Sequence, residues 1–409
     1  MSVPTSNVGD MRILHTSDWH LGRSFHREGM LGHQAAYVDH LLSVVEQEKV
    51  DVVLVAGDVY DRALPQVDAV RLASEALARL AASPAKVVLT SGNHDSAHRL
   101  GFGSELIDAA GVFIRTDLAT VGRPVLIEDA DGPVAFYGLP YLDPDTVKEA
   151  WQLPTRSHQA ALTEAMTRVG ADHGRRGGRA VVLAHAFVTG AQPSDSERDI
   201  SVGGVSMVPA SIFAEMTYAA LGHLHGRQTI TDSPTSSVRY SGSPLAYSFS
   251  EEHQVKGSWL VELDATGVAT TEFIEAPVPR RLARLRGDLD SLLTDPALGR
   301  HEADWVQVVL TDDVRPLQAM ERLRRRFPHT LVLGFESTMP VVGAISTGGA
   351  QPRRDHDLVR EFVTELRGSA PTRAERTLLD AAVDACCEDP DLDTGAIAQG
   401  QTDLVEVLF

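Results

Sequence analysis

The stretch MRILHTSDWHLG at residues 11–22 predicts the fold of the first part of the chain. Its apolar start, MRILHT, has the length and composition of a buried strand, and polar residues follow at once. Three later runs repeat this pattern, namely VVLVA at 52–56, KVVLT at 86–90 and AVVLA at 180–184. Residues 33–48 and 66–82 have the apolar spacing of helices. Strands that alternate with helices predict an α/β fold with its functional groups at the carboxyl ends of the strands.

Groups suited to metal binding follow these strands. The segments are Asp18-x-His20, Gly57-Asp58-x-x-Asp61, Gly92-Asn93-His94-Asp95, His185 and Gly222-His223-x-His225. Residues two apart share one face of a strand and can also converge from a loop, so Asp18 and His20 can serve one site. Imidazoles and carboxylates without thiols suit two borderline divalent metals, which can position water for in-line attack on a phosphodiester.

Each of these residues alone has a simpler interpretation. The chain has 16 histidines, and any one of them is more often a surface or core residue. Asp58 alone could cap a helix, Asn93 could lie in a turn, and Asp95 is expected to cap the helix that follows it. The ordered occurrence of five such segments, each after a predicted strand, favours the metal site. The histidines that keep the simpler interpretation are His15, His26, His33, His40, His98, His158 and His173.

Length, charge and cysteine content limit the class of protein. A chain of 409 residues exceeds what one hydrophobic core usually serves, so two or three domains are expected. The net charge of -19 disfavours binding of nucleic acid by the whole surface. Cys386 and Cys387 are adjacent and cannot build a disulfide framework, which favours a reducing cytoplasm. Residues 1–10 lack the pattern of a signal peptide, and no apolar run reaches the ~20 residues that span a bilayer.

The second half of the chain predicts a small α/β domain and a helical tail. The joint Ala276-Pro277-Val278-Pro279 ends the first domain, and a β-α-β-α-β series follows it. Further on, Leu358, Phe362 and Leu366 lie at i, i+4 and i+8 on one helix face, and a second helix is predicted over 372–388. The expected domains are a disordered leader at 1–10, a catalytic domain at 11–276, a capping domain at 277–345, and a linker with C-terminal helices at 346–409.

Several longer strings resemble a known family. They are MRILHTSDWHLG at 11–22, VAGDVYDR at 55–62, SGNHDS at 91–96, SDSERDISVGG at 194–204, ALGHLHGRQ at 220–228 and RYSGSPLAYSF at 239–249. The ordered set of short motifs resembles the calcineurin-like metallophosphoesterase superfamily, and the longer strings are similar to the SbcD family of bacterial nuclease subunits. The resemblance covers most of residues 11–276. It implies a β-sandwich flanked by helices, with a small α/β capping domain and C-terminal helices.

The resemblance also implies roles for the motif residues. Two divalent metal ions, Mn²⁺ in most of the family, would be bound by Asp18, His20 and His225 at one site and by Asn93, His185 and His223 at the other, with Asp58 bridging them. His94 would be the catalytic histidine that binds no metal and protonates the leaving oxygen. Asp61 occupies the position of a carboxylate that orients this histidine, and such a carboxylate would raise the pKa of His94.

The family's partners are DNA, a second copy of the chain and an SbcC-type ATPase. The resemblance implies DNA contacts by Arg322, Arg324, Arg325 and Arg326, and contacts to the ATPase by Leu358, Phe362, Leu366, Leu378 and Leu379. A homodimer would form through the stretches at 66–82 and 99–110. The simpler interpretations are a solvated helix face for the arginines and packing on the chain's own body for the apolar residues. The chain has no ATP-binding loop, so ATP dependence could come only from the partner.

The activity expected from the resemblance is Mn²⁺-dependent double-strand exonuclease and single-strand or hairpin endonuclease action in DNA end processing, repair and recombination. Two alternatives are open. A phosphoesterase for small molecules or phosphoproteins could use the same site, but it leaves the capping domain and the C-terminal helices unexplained. An inactive scaffold that assembles with the ATPase would have no need to keep every ligand type together with His94.

Overall fold

The structure is a computed structural model that describes residues 10–200, 207–231, 237–336 and 355–387. Its described residues fall into two compact units, one within Met1–Val309 and Leu317–Gly334, the other within Leu310–Pro316 and Phe335–Phe409. Four expectations lie wholly or partly outside the described residues: the leader, the end of the capping domain, the linker, and the tail after residue 387. Positions 201–204 of the string at 194–204 lie outside them as well.

The described residues form nineteen strands and ten α-helices. The strands are β1 Met11–Thr16, β2 Ser24–Phe25, β3 Glu28–Gly29, β4 Val52–Ala56, β5 Lys86–Thr90, β6 Val112–Arg115, β7 Val125–Asp129, β8 Gly132–Gly138, β9 Arg179–His185, β10 Phe187–Val188, β11 Met207–Val208, β12 Tyr218–Gly222, β13 Gln228–Ile230, β14 Ser237–Tyr240, β15 Gly257–Asp264, β16 Gly267–Glu275, β17 Leu282–Gly287, β18 Trp305–Leu310 and β19 Thr330–Phe335. The helices are α1 Leu31–Gln47, α2 Val67–Ala82, α3 Ala97–Leu100, α4 Ser104–Ile107, α5 Pro144–Trp151, α6 His158–Arg176, α7 Leu289–Thr294, α8 Ala319–Arg326, α9 Asp355–Arg367 and α10 Arg373–Cys387.

Two six-stranded sheets make up most of the chain before the proline joint. Their strand orders are β16-β15-β1-β4-β5-β6 and β13-β14-β12-β9-β8-β7. In the first sheet β1, β4, β5 and β6 run parallel, and β15 pairs antiparallel with β1. In the second sheet β8, β9, β12 and β14 run parallel. Carboxyl ends of parallel strands therefore gather at one edge of each sheet, as the apolar runs predicted.

The two sheets pack face to face and are flanked by helices. Alternate residues of β1 point to opposite sides, so Ile13 lies in the core between the sheets while Leu14 packs with α1 and α2. On the outer side of the second sheet, α6 contributes Ala161 and Leu162 to a separate core. Strands covered on both faces are apolar throughout, which explains the continuous apolar runs in the sequence. The expected β-sandwich flanked by helices is confirmed.

The small domain after the proline joint has the predicted order of elements. Its strands form a three-stranded sheet in the order β17-β18-β19, with α7 and α8 as the connecting helices. A 3₁₀ helix at Pro296–His301 was not predicted. Its signal is the pair Asp295-Pro296, because Asp295 accepts a hydrogen bond from the backbone of Ala297 and proline fits the first helical turn.

The predicted C-terminal helices correspond to α9 and α10. Ion pairs join them, with Arg360 bound to Asp380 and Arg367 to Glu375. The apolar residues predicted to bind a partner are open to solvent: the exposed fraction is 46% for Leu358, 52% for Phe362, 73% for Leu366 and 72% for Leu378. Leu379 is partly buried. Within the residues that the structure describes, no helix is long and apolar enough to cross a membrane.

A buried ion pair fixes the start of β9. Arg179 and Asp129 have side chains that are 7% and 9% exposed, and two hydrogen bonds of 2.5 and 2.7 Å join them. Replacing Arg179 by alanine leaves the Asp129 carboxylate buried without its partner, so we expect the free energy of unfolding to fall by about 3–5 kcal/mol. Urea denaturation of the metal-free protein measures this change. The Arg176→Ala variant, which removes the more exposed pair with Asp172, is the control, and an equal loss there would contradict the prediction.

Candidate metal centre

Two loops bring the first candidate ligands together where β1 and β4 end. The loops continue the parallel pairing of these strands, because Asp18 N donates to Gly57 O at 3.1 Å and His20 N donates to Asp58 O at 2.9 Å. Leu21 N likewise donates to Val59 O at 2.9 Å. The polar residues after two apolar runs thus lie side by side at one edge of the sheet.

Four candidate ligands have a strained backbone. Their φ angles are positive: 53° at Asp18, 46° at His20, 50° at Asp58 and 103° at His223. Such a conformation costs a non-glycine residue on the order of 1–3 kcal/mol and persists only when its surroundings impose it. Its recurrence at four side chains of one cluster indicates that the fold is built to aim these groups.

The first cluster contains Asp18, His20 and His225. Ligand atoms of these three buried residues all lie within 4.8 Å of one another. His20 Nε2 lies 3.0 Å from His225 Nε2, so the two rings point at the same place. The backbone N–H of His223 donates to Asp18 Oδ1 at 3.0 Å, which holds the carboxylate in position.

The second cluster surrounds the side-chain oxygen of Asn93. Its Oδ1 lies 2.9 Å from His185 Nε2 and 3.2 Å from His223 Nδ1. His185 Nδ1 lies 3.0 Å from the carbonyl oxygen of Ala56. Because a carbonyl can only accept, the proton of a neutral His185 ring resides on Nδ1 and the Nε2 lone pair faces Asn93.

Asp58 lies between the two clusters. Its Oδ2 is 3.4 Å from His185 Nε2 and 3.6 Å from His20 Nε2, while its Oδ1 accepts from the backbone N–H of His94 at 2.8 Å. Burial by itself would raise the pKa of Asp58, but His185 and the other histidines around it outweigh burial and hold that pKa well below its usual value. Asp58 is therefore a charged carboxylate that reaches both clusters.

The donor set fits two divalent cations. Burial lowers the pKa of His223 to about 3 and lowers that of His20 as well, so both rings stay neutral, the form that binds a metal. Burial opposes protonation of His185 too, but the charge of Asp58 outweighs it and raises that pKa to about 9. A cation that binds there would displace this proton. Asn93 Nδ2 and His20 Nδ1 are buried without hydrogen-bond partners among the described residues. The site therefore contains polar atoms whose hydrogen-bonding capacity is not satisfied within the protein.

His94 forms a further group with His20 and Asp58, whose ligand atoms all lie within 4.8 Å of one another, and the structure corrects how Asp61 contacts it. The backbone carbonyl oxygen of Asp61 is 2.8 Å from His94 Nδ1, whereas the Asp61 carboxylate lies 3.9 Å from His20 Nδ1 and 3.8 Å from Arg23 Nε. Asp61 raises the pKa of His94 as expected, through its charge and its backbone hydrogen bond, but the net shift is downward. Burial lowers that pKa, and the charges of Asp58 and Asp61 oppose burial only in part. His94 Nε2 lies 4.0 Å from Asp58 Oδ2.

Asp95 clamps the loops and does not cap a helix, contrary to expectation. Its carboxylate accepts from the backbone N–H groups of Val59, Tyr60 and Gly92 at 3.1, 2.9 and 2.9 Å. Burial raises the pKa of Asp95 to about 7, and the nearby charge of Asp58 adds to this rise. Asp95 thus ties the loop after β4 to the loop after β5. Sequence reasoning missed this role because the amide partners lie on a distant segment.

Gly92 permits the close approach of these two loops. A Cβ atom at this position would overlap with the carboxylate and the backbone nitrogen of Asp58. We expect Gly92→Ala to displace Asp58, and a displacement of about 1 Å can cost on the order of 10²-fold in rate. Titration with Mn²⁺ and hydrolysis of bis(p-nitrophenyl) phosphate measure the two effects. Gly32→Ala is the control, since a Cβ there meets nothing within 4 Å, and unchanged metal binding by Gly92→Ala would refute the prediction.

The four arginines predicted to bind DNA lie on or at the end of α8 and have partners in their own chain. Arg322 pairs with Asp290 at 2.7 Å and Arg325 with Glu321 at 3.1 Å. Arg324 donates to the carbonyl of Thr330. Arg326 is 15% exposed and binds Glu302 and two backbone carbonyls, so it stabilises the small domain. Two other arginines, Arg23 and Arg198, lie closer to the metal clusters and were not predicted.

Two segments of the chain match known protein families. Residues 11–170 match the calcineurin-like phosphoesterase family, and residues 278–359 match the SbcD_C family, described as the type 5 capsule protein repressor C-terminal domain. Among solved structures the chain is similar to TT1561 of Thermus thermophilus (14% identity, TM-score 0.37, covering 64% of this chain and 99% of that chain). It is also similar to a dimetal phosphatase from Danio rerio (15% identity, TM-score 0.41, covering 65% of this chain and 99% of that chain). A third similar structure is the calcineurin-like phosphoesterase YfkN from Bacillus subtilis (13% identity, TM-score 0.32, covering 65% of this chain and 89% of that chain).

Clusters of aspartate and histidine lie at the ends of the strands of the sandwich, and many of these residues fall within the segment that matches the phosphoesterase family. Residues 11–170 are thus similar to the calcineurin-like phosphoesterase family, and residues 278–359 are similar to the SbcD_C family.

Proposed function

We propose that this protein is an SbcD-type nuclease that cuts DNA with two divalent cations, Mn²⁺ being the expected metal. The observation that most supports this proposal is the placement of Asp58 between two clusters of candidate ligands. The same chain also matches the SbcD_C family. A phosphoesterase domain explains hydrolysis of a phosphoester. The additional segment supports an SbcD-type role, in which the substrate is DNA and the protein acts with an SbcC-type ATPase in the cytoplasm.

Asp18, His20 and His225 would hold one cation, Asn93, His185 and His223 the other, with Asp58 shared. When bound, the two cations supply an activated nucleophile and neutralise charge on the phosphoryl oxygens. The residues of the chain keep this arrangement rigid, because most of these ligands are buried and several are fixed through their backbone. Preorganised groups of this kind need no rearrangement at the moment of reaction.

His94 is the proposed proton donor to the leaving oxygen. Since the Asp61 carbonyl can only accept, the ring donates through Nδ1 and leaves Nε2 facing the Asp58 side of the site. Burial lowers the pKa of His94, whereas the negative charge of a bound phosphodiester would favour uptake of a proton from solvent at Nε2. Nε2 would then transfer its proton to the departing oxygen.

Two arginines near the clusters support the proposal that the substrate carries several phosphates. Arg198 Nη1 lies 3.4 Å from the carbonyl oxygen of Asn93, and its side chain is open to solvent. Arg23 stacks on the Tyr247 ring at 5.0 Å and donates to the Ser196 carbonyl at 2.8 Å, while its Nη1 is buried without a partner. Both guanidinium groups are near the reacting position and suit phosphate oxygens of a DNA backbone. They offset the net negative charge of the chain locally.

The proposed partner and dimer surfaces are exposed and apolar. On α9 and α10 the residues are Leu358, Phe362, Leu366 and Leu378; the stretches proposed for dimerisation expose Val67, Phe102 and Leu106, with exposed fractions of 66%, 85% and 83%. Leu100, which lies within the stretch at 99–110, is buried and belongs to the core. Exposed apolar groups of this size favour protein contacts.

The nuclease assignment is tested by cleavage of a labelled DNA hairpin by the full chain, with and without an SbcC-type ATPase and ATP. Cleavage that requires Mn²⁺ and stops with a chelator is the expected result. A parallel assay uses a cyclic nucleotide as a small phosphodiester. Hydrolysis of the small substrate without cleavage of DNA in the presence of the partner would exclude the nuclease and leave a small-molecule phosphoesterase.

The proposed ATPase-binding surface on α9 and α10 is tested by introducing a negative charge at its centre. Because Phe362 is half exposed on α9, Phe362→Glu should leave the fold and hydrolysis of bis(p-nitrophenyl) phosphate unchanged. Burying an unpaired carboxylate in an interface costs several kcal/mol, so we expect the affinity for the SbcC-type ATPase to fall by at least about 10²-fold. Surface plasmon resonance measures this affinity. Arg373→Glu, an exposed change on α10, is the control, and unaltered binding by Phe362→Glu would remove this surface from the proposal.

A further inference from the structure

His225 is held at three of its groups by neighbouring side chains. Its ring Nδ1 lies 2.5 Å from Ser196 Oγ, and its backbone N–H donates to Glu197 Oε1 at 2.7 Å. Its carbonyl oxygen accepts from Lys256 Nζ, also at 2.7 Å. His185, in contrast, has its Nδ1 bound to a backbone carbonyl. The two candidate metal clusters are therefore supported in different ways.

The partners of His225 are themselves connected. Ser196 Oγ lies 2.5 Å from Glu251 Oε1, and Lys256 Nζ donates to Glu251 Oε2. A closed ring of hydrogen bonds results, running from the His225 imidazole through Ser196, Glu251 and Lys256 back to the His225 carbonyl. Its members are buried: the exposed fraction is 8% for Ser196, 1% for Glu251 and 7% for Lys256. A carboxylate and an ammonium group are thus buried beside His225, and they also bind Ser243, Gln254 and the backbone of Tyr247.

The direction of the hydrogen bonds follows from their chemistry. A carboxylate beside an ammonium group only accepts, so the Ser196 hydroxyl donates to Glu251. The oxygen of Ser196 then accepts from His225 Nδ1–H. A neutral His225 consequently has its proton on Nδ1 and its lone pair on Nε2, the atom that lies 3.0 Å from His20 Nε2.

We propose that Ser196, Glu251 and Lys256 are positioning residues that fix the tautomer and orientation of His225 and thereby set the affinity of the metal site formed by Asp18, His20 and His225. This inference rests on the two-metal site of the proposed function and assigns different supports to its two halves. Partners of this kind typically change metal affinity by about 10–100-fold. The second site, whose histidines do not contact Ser196, should keep its affinity.

The test is calorimetric titration of the full chain with Mn²⁺. Ser196→Ala should weaken one of two Mn²⁺ sites by about 10–100-fold and leave the other within about threefold. Ser196→Thr and Ser196→Val form a second pair of variants, whose side chains have the same shape and differ only in the hydroxyl group. The Thr variant should retain both Mn²⁺ sites, and the Val variant should lose the site that Ser196→Ala weakens. Ser250→Ala is the control, because the Ser250 hydroxyl holds the backbone of Asp195 in the same loop without reaching His225.

The possible outcomes separate this inference from the nuclease assignment. Equal weakening of both sites, unchanged affinity in Ser196→Ala, or failure of Val to differ from Thr would overturn the positioning role. A wild-type chain that binds no Mn²⁺ would overturn the role together with the two-metal site. Selective loss of one site in a chain that does not cut DNA would support the role and reject the nuclease.

Discussion

Replacing Asp58 by asparagine is expected to lower kcat for phosphodiester hydrolysis by at least about 10³-fold, which corresponds to about 4 kcal/mol in the activation free energy. The physical reason is its position, since one carboxylate oxygen faces His185 at 3.4 Å and His20 at 3.6 Å. Asparagine has nearly the same shape and can still accept from the His94 backbone, so the loop should persist. What disappears is the negative charge that both metal sites share.

Two measurements separate this loss from unfolding. Mn²⁺ should raise the melting temperature of the wild-type chain by preferential binding to the folded state, and this rise should largely vanish in Asp58→Asn. Hydrolysis of bis(p-nitrophenyl) phosphate gives kcat. Asp68→Asn, an exposed change on α2, is the matched control. Near-normal kcat in Asp58→Asn with two Mn²⁺ bound would show that the carboxylate does not join the sites.

The apolar pattern predicted the strands of the two sheets because of how they are buried, whereas the sandwich itself was implied by the family resemblance. The five residues of β4 are buried, and such strands appear as unbroken apolar runs. The site followed from the same pattern, since Asp18, Asp58 and His185 come at or directly after the ends of such runs. The order of strands within each sheet was not predicted, because β1 pairs with β15 from the far end of the domain and local patterns contain no such information.

Contacts between distant segments account for what the sequence left out. Glu251 and Lys256 look like surface residues in a charged stretch, and their role requires knowledge that Ser196 and His225 come to the same place. The role of Asp95 was missed for the same reason, since its backbone partners include groups on a distant segment. The contact between Asp61 and His94 was predicted incorrectly for another reason. The sequence does not show whether the side chain or the backbone carbonyl of Asp61 will contact His94. The four arginines of α8 have partners mainly on other elements of the small domain, and their contact with DNA stays a prediction.

Replacing His94 by alanine is expected to lower kcat by about 10²–10⁴-fold, the usual contribution of a positioned general acid, while Mn²⁺ binding stays intact. The ring lies beside the clusters, and its Nδ1 is taken by the Asp61 carbonyl, so its removal should leave the metal ligands in place. Calorimetry with Mn²⁺ and hydrolysis of bis(p-nitrophenyl) phosphate measure the two properties on one preparation. This combination distinguishes His94 from Asp58, whose loss should affect both.

The leaving group sharpens this prediction. A p-nitrophenolate leaves without much need for a proton, whereas the 3′ or 5′ oxygen of a nucleotide needs one, so His94→Ala should impair cleavage of DNA more than hydrolysis of the nitrophenyl ester. His98→Ala, an exposed histidine four residues further on, should behave as wild type in both assays. Equal losses for the two substrates would argue that His94 steadies charge on the phosphoryl group and does not donate the proton. Loss of bound Mn²⁺ in His94→Ala would instead make His94 a metal ligand, in keeping with its distance of 4.0 Å from Asp58.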